Sequence, residues 1–66
     1  MTNQEYIIID KFKIGNQTWY DFSNIPQEQY YITIASLPFS TDRKAINRAK
    51  KINSNYEYVI REVVND

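Results

Sequence analysis

The chain predicts a small α+β fold: one sheet layer of about four strands, antiparallel or mixed, packed on a single helix in the order βββαβ. Three observations predict it. Residues 6–14 and 18–22 are two β-branched and aromatic runs around the only glycine, Gly15. Residues 41–53 separate apolar from basic side chains at helical spacing. Residues 56–64 return to alternation, with Tyr58, Ile60 and Val64 set against Glu57, Arg61 and Val63.

The first two runs form a hairpin, with strands expected at about 5–14 and 18–23. A two-residue turn at Gly15-Asn16 sets Asp10 opposite Asp21, whereas a three-residue loop over 15–17 sets Lys11 there. Opposed like charges on a sheet destabilise and opposite ones stabilise, by a few tenths to about 1 kcal/mol, so the three-residue loop is the expected one. Because successive side chains alternate faces, that register puts Ile8, Phe12, Ile14, Tyr20 and Phe22 on the core side, with Asp10 the exception. Ile7, Ile9, Lys11, Lys13, Trp19 and Asp21 then share the other side.

Pro26 forces Ile25 into extended backbone, and residues 23–29 read as a loop. A third strand is expected over about 30–37, ending before Pro38, which has no amide hydrogen for a ladder. Tyr30 and Tyr31 must then point to opposite faces. Ser40-Thr41-Asp42 reads as a helix start, a hydroxyl N-cap followed by an acid beside the positive end of the dipole. The helix should run over about 41–53. No glycine closes it, so Asn53 or Asn55, which tolerate left-handed backbone best after glycine, are the expected stop. At about 100° per residue, Ile52, Ala45, Ala49 and Ile46 occupy one arc and the cations another, without overlap. The last strand is expected at about 56–64.

Size and composition bound the chemistry. The 66 residues form one domain over 1–66, near the lower limit for a core that stabilises a chain unaided. No Cys and no His are present, which removes disulfides, thiol nucleophiles, imidazole bases and the usual zinc sites. The carboxylates are scattered, one glycine cannot build a phosphate-cradling loop, and no acidic loop offers oxygen ligands. The expectation is a non-enzyme, with no catalytic residue, cofactor or metal.

Charge is neutral in sum and uneven in place. Arg43, Lys44, Arg48, Lys50 and Lys51 share the helical segment with Asp42 as its only acid, so it carries +4 and the remainder −4. Such a face can meet an acidic protein surface or track a phosphate backbone, and neutralising four phosphates gives a log–log salt slope of about −3.6. The plainer reading is a solvated face built of good helix formers. Against it stands the lack of Glu partners one turn away, the usual stabilising choice.

One helix of about 13 residues covers an area of roughly 20 by 10 Å, one side of a small sheet and nothing of the other. Ile7, Ile9, Lys11, Lys13 and Trp19 are therefore expected on an uncovered face, which calls for a partner. Trp19 beside Lys11 and Lys13 resembles in miniature an aromatic-plus-basic platform for single-stranded nucleic acid, without any motif of the RNA-recognition type. A protein contact, including a homodimer through faces or edges, fits equally; so does simple screening of the isoleucines by lysine stems and tyrosine rings.

Residues 1–20 hold Glu5, Asp10, Lys11 and Lys13, so they form neither a signal-peptide core nor a membrane span, and a cytoplasmic protein is expected. Asn16-Gln17-Thr18 matches a glycosylation sequon that only a secreted chain would use. Ile, Asn, Lys and Tyr supply 28 of the 66 residues, a bias toward AT-rich codons. Short helix-backed modules of this bias are similar in style to accessory and inhibitor proteins of phages and mobile elements. The expected function is a protein-binding module that modulates a host or defence protein handling nucleic acid. Direct nucleic-acid binding through the basic helix or the Trp19 face is the alternative.

Overall fold

A computed structural model describes residues 5–26 and 35–64. The elements are β1 (Tyr6–Ile14), β2 (Gln17–Asp21), β3 (Ser36–Pro38), α1 (Asp42–Ile52) and β4 (Glu57–Glu62). They form one mixed four-stranded sheet in the order β3-β2-β1-β4, with the helix on one side: an α+β fold in the expected order. β2 runs antiparallel to β1 and β3, and β4 runs parallel to β1. Most of the expected third strand, residues 30–34 with Tyr30 and Tyr31, lies outside the described residues. β3 itself includes Pro38, at the last position of an edge strand, where a missing amide hydrogen costs no ladder bond.

The hairpin turn has two residues, not three. Gly15 has φ +63° and no other described residue has positive φ, the pattern of a type II′ turn with glycine first. Asp10 therefore faces Asp21, and Lys11 faces Tyr20. This one-residue change leaves β2 as expected and inverts β1, because side chains alternate with period two. Ile9 is fully buried and Ile7 packs on the core, while Ile8, Phe12 and Ile14 stand on the side away from the helix. The charge argument misjudged the register because it weighed only two strands. Arg61 of β4 lies opposite Asp10 on the other flank and binds it, and Asp21 Oδ1 accepts from the Ser23 amide at 2.9 Å. Each carboxylate thus has its own partner.

The core comprises Ile9, Tyr20, Phe22, Ile25, Ala45, Ala49 and Tyr58. Ala45 and Ala49 have no exposed surface, so the helix rests its backbone close on the sheet. Ile46 and Ile52 flank them, as the helical spacing requires. Phe39 meets Phe22 edge-on at 6.0 Å and Tyr20 at 6.1 Å between ring centres, closing the core beside β3. Burying each of Ile9, Phe22 and Ile25 stabilises the fold by about 1.5–3 kcal/mol.

Both helix ends are tied down. Thr41, extended at φ −141°, accepts from the Lys44 amide through Oγ1 at 3.2 Å. Asp42 Oδ1 accepts from Tyr20 Oη at 2.6 Å and Lys11 Nζ at 3.0 Å, which fastens the first turn to the sheet. Asn53 ends the helix as expected, but in extended backbone at φ −154° rather than left-handed. Its polar groups explain why no left-handed turn is needed. The amide donates to Ala49 O, Oδ1 accepts from the Asn55 amide, Nδ2 donates to Pro26 O, and the carbonyl accepts from Tyr58 Oη.

Candidate macromolecular interface

Two surfaces carry the residues that sequence reasoning selected. On the helix, Arg43, Lys44, Arg48, Lys50 and Lys51 are all exposed. Among the described residues none of the five is in ion-pair contact with a carboxylate, because Asp42 is taken by Lys11. Among contacts between the described residues only Arg48 is anchored, its guanidinium 5.9 Å from the centre of the Phe39 ring, a cation–π contact that holds it beside β3. Their common face follows from the 3.6-residue period, with Ala45 and Ala49 pinned opposite.

The sheet side away from the helix is the second surface, and its membership differs from expectation. Of Ile7, Ile9, Lys11, Lys13 and Trp19, only Trp19 is there. Ile7 and Ile9 belong to the core side, Lys11 is committed to Asp42, and Lys13 is exposed on the helix side by parity. In their place stand Ile8, Phe12, Ile14 and, from β4, Val59. Pro38, Trp19 and Phe12 are direct neighbours across β3, β2 and β1, and make a continuous half-buried apolar row. The next row is polar: Ser36, Asp21, Asp10, Arg61. Beyond it Ile8 pairs with Val59, and these are 38% and 44% exposed, while Ile14 at the turn end reaches 62%. Asp10, Asp21 and Glu57 against Arg61 leave this face with an excess of negative charge. The lysines of the expected aromatic-plus-basic platform are on the opposite side, so that platform does not form.

The signals for the correct face were present in Gly15-Asn16, the commonest length of hairpin turn, and in Arg61, the only cation outside the hairpin and helix.

The titration behaviour belongs to the structural contacts. Burial pushes the Tyr20 phenol up to about 12, reinforced by its hydrogen bond to Asp42 and the charge there. The Asp42 carboxyl is held below its ordinary value, first by the Tyr20 hydrogen bond and then by Lys11. Tyr58 is also raised, by burial and then by Tyr56. Arg61 is raised by its hydrogen bonds to Asp10. Among the described residues no group of three or more His, Cys, Asp or Glu is placed to hold a metal ion, and no helix is long and apolar enough to cross a membrane. Comparison with protein-family models, curated proteins and solved structures returns no match.

Proposed function

We propose that this protein is a non-enzymatic binding module that covers a surface of another protein with the helix-free side of its sheet. The observation that carries the reading is the apolar row Pro38, Trp19, Phe12 together with exposed Ile8, Ile14 and Val59 on a face that the helix does not reach. Apolar groups gathered on one face gain by docking. The acids Asp10 and Asp21, in the polar row between the apolar ones, and Glu57 at the β4 end favour a partner that sets cations among its apolar contacts, the character of proteins that handle nucleic acid. The same acids disfavour nucleic acid itself at this face. Residue usage supports a phage or mobile-element origin.

The test is capture from host cytosol by the immobilised chain and by its Trp19→Ala and Ile14→Asp variants. Loss of the captured protein with both, at unchanged thermal stability, supports the reading; equal capture by all three overturns it. A second reading, direct nucleic-acid binding, rests on the five exposed helix cations. It requires a mobility shift at low salt that charge reversal at Arg48 and Lys51 removes.

A further inference from the structure

The outer edge of β4 offers a different surface. The Glu57 amide donates to Glu5 O at 3.1 Å and the Val63 amide to Lys11 O at 2.8 Å. In a parallel ladder this assigns the amides of the odd-numbered residues of β4 to β1. Tyr58, Ile60 and Glu62 therefore turn their N–H and C=O groups to the other edge, where no strand among the described residues pairs with them. An unpaired edge of this length is a template for another strand.

We propose that β4 pairs antiparallel with β4 of a second copy, about a two-fold axis at Val59, to join two sheets into one. The axis stands perpendicular to the sheet, so each face continues across the junction. Centred on Val59, the register sets Glu57 against Arg61 of the second copy twice, Tyr58 against Ile60 twice, and Val59 against itself. The Ile8–Val59 pair of one copy then continues into the same pair of the other, which covers two exposed apolar side chains. Arg61, bound by Asp10 through Nε and one terminal nitrogen, keeps its other terminal nitrogen for Glu57 of the second copy.

Neighbouring two-fold registers are worse. Centring on Tyr58 faces Glu57 with Val59, centring on Ile60 faces Val59 with Arg61 and Tyr58 with Glu62, and centring on Arg61 opposes two guanidinium groups. Over residues 57–61 the Val59 register alone of these matches charge with charge and apolar with apolar, and Glu62 then faces Tyr56, just outside the strand. The pairing is made by the outward backbone groups of β4 and needs no partner docked on the helix-free face, although it shares Ile8 and Val59 with that face.

The experiment uses the full chain, which has no cysteine of its own. At a Val59–Val59 junction the outward amides place the central pair in the non-hydrogen-bonded position, about 4.5 Å between Cα atoms, within the span a disulfide bridges. Val59→Cys should oxidise to a covalent dimer at least about tenfold faster than Ile14→Cys, which is also exposed but far from the edge. Sedimentation of the unmodified chain at roughly millimolar concentration should show a dimer, since that suffices for a Kd of about 1 mM or tighter. Glu57→Arg should weaken association at least about tenfold and leave the melting temperature of dilute protein unchanged. A strict monomer, equal oxidation of the two cysteine variants, or association indifferent to Glu57→Arg each overturns the proposal.

Discussion

Arg61 on β4 binds Asp10 on β1 through two hydrogen bonds, Nε to Oδ1 at 2.8 Å and a terminal nitrogen to Oδ2 at 3.2 Å. The guanidinium sits on the opposite flank of Asp10 from Asp21, so it compensates the like-charge pair that the two-residue turn creates. Arg61→Ala should lower the melting temperature, and Asp10→Asn should cost less in that background than in the native chain. A double-mutant cycle in thermal denaturation checks it: additive losses would mean that the two residues do not act together.

The turn itself is under backbone constraint. A Cβ at Gly15 meets nothing within 4 Å, so its φ of +63° is the whole objection to another residue. Gly15→Ala should cost roughly 1–2 kcal/mol in denaturant unfolding, the penalty for left-handed backbone with a side chain. A neutral effect would show that the turn readjusts freely.

Neighbouring isoleucines should behave as opposites. Ile9→Ala removes a fully buried side chain and should cost about 2–5 kcal/mol. Ile8→Ala, on the face without the helix, should cost a fraction of that. Equal costs would mean that both sides of β1 are core.

The helix start can be tested separately. Thr41→Ala removes the Oγ1 acceptor of the Lys44 amide and should cost about 1 kcal/mol, a fall of about 4–8 °C in melting temperature for a chain of this size. Thr41→Ser should restore most of it.

Stability should fall at both ends of the pH scale, for opposite reasons. Asp42 is lowered on folding, so its contribution is complete above the unfolded carboxyl value and is lost as pH falls through the folded one. Tyr20 is raised to about 12, so its contribution is complete below about 10 and is lost as pH rises from there to about 12. Tyr58, also raised, adds to the alkaline loss. Denaturation midpoints across pH should flatten on the acid side in Asp42→Asn and on the alkaline side in Tyr20→Phe. Unchanged profiles would detach these groups from folding.

The helix was legible in the sequence because its signals are local: Thr41 caps it, Ala45, Ile46, Ala49 and Ile52 follow its period, and Asn53 ends it. The faces of β1 were not. They depend on a single residue of turn length, and the contacts that accompany the observed register, Arg61 on Asp10 and Ile9 in the core, come from elements distant in sequence, Arg61 being placed by the parallel pairing of β4. Charge pairing within the hairpin alone pointed to the wrong loop. Trp19 kept its place because β2 retains the same parity in either register, whereas Ile7, Ile9, Lys11 and Lys13 changed sides. The basic helix face was readable for the same local reason as the helix.

The measurement that most directly tests whether the helix shelters one side and leaves a docking face on the other is acrylamide quenching of Trp19, the only tryptophan, in the dilute isolated chain. Efficient quenching that disappears when the captured partner is added is the result expected of a half-buried indole on an accessible face. A blue-shifted emission that acrylamide cannot reach in the isolated chain would contradict it, by placing Trp19 inside the fold.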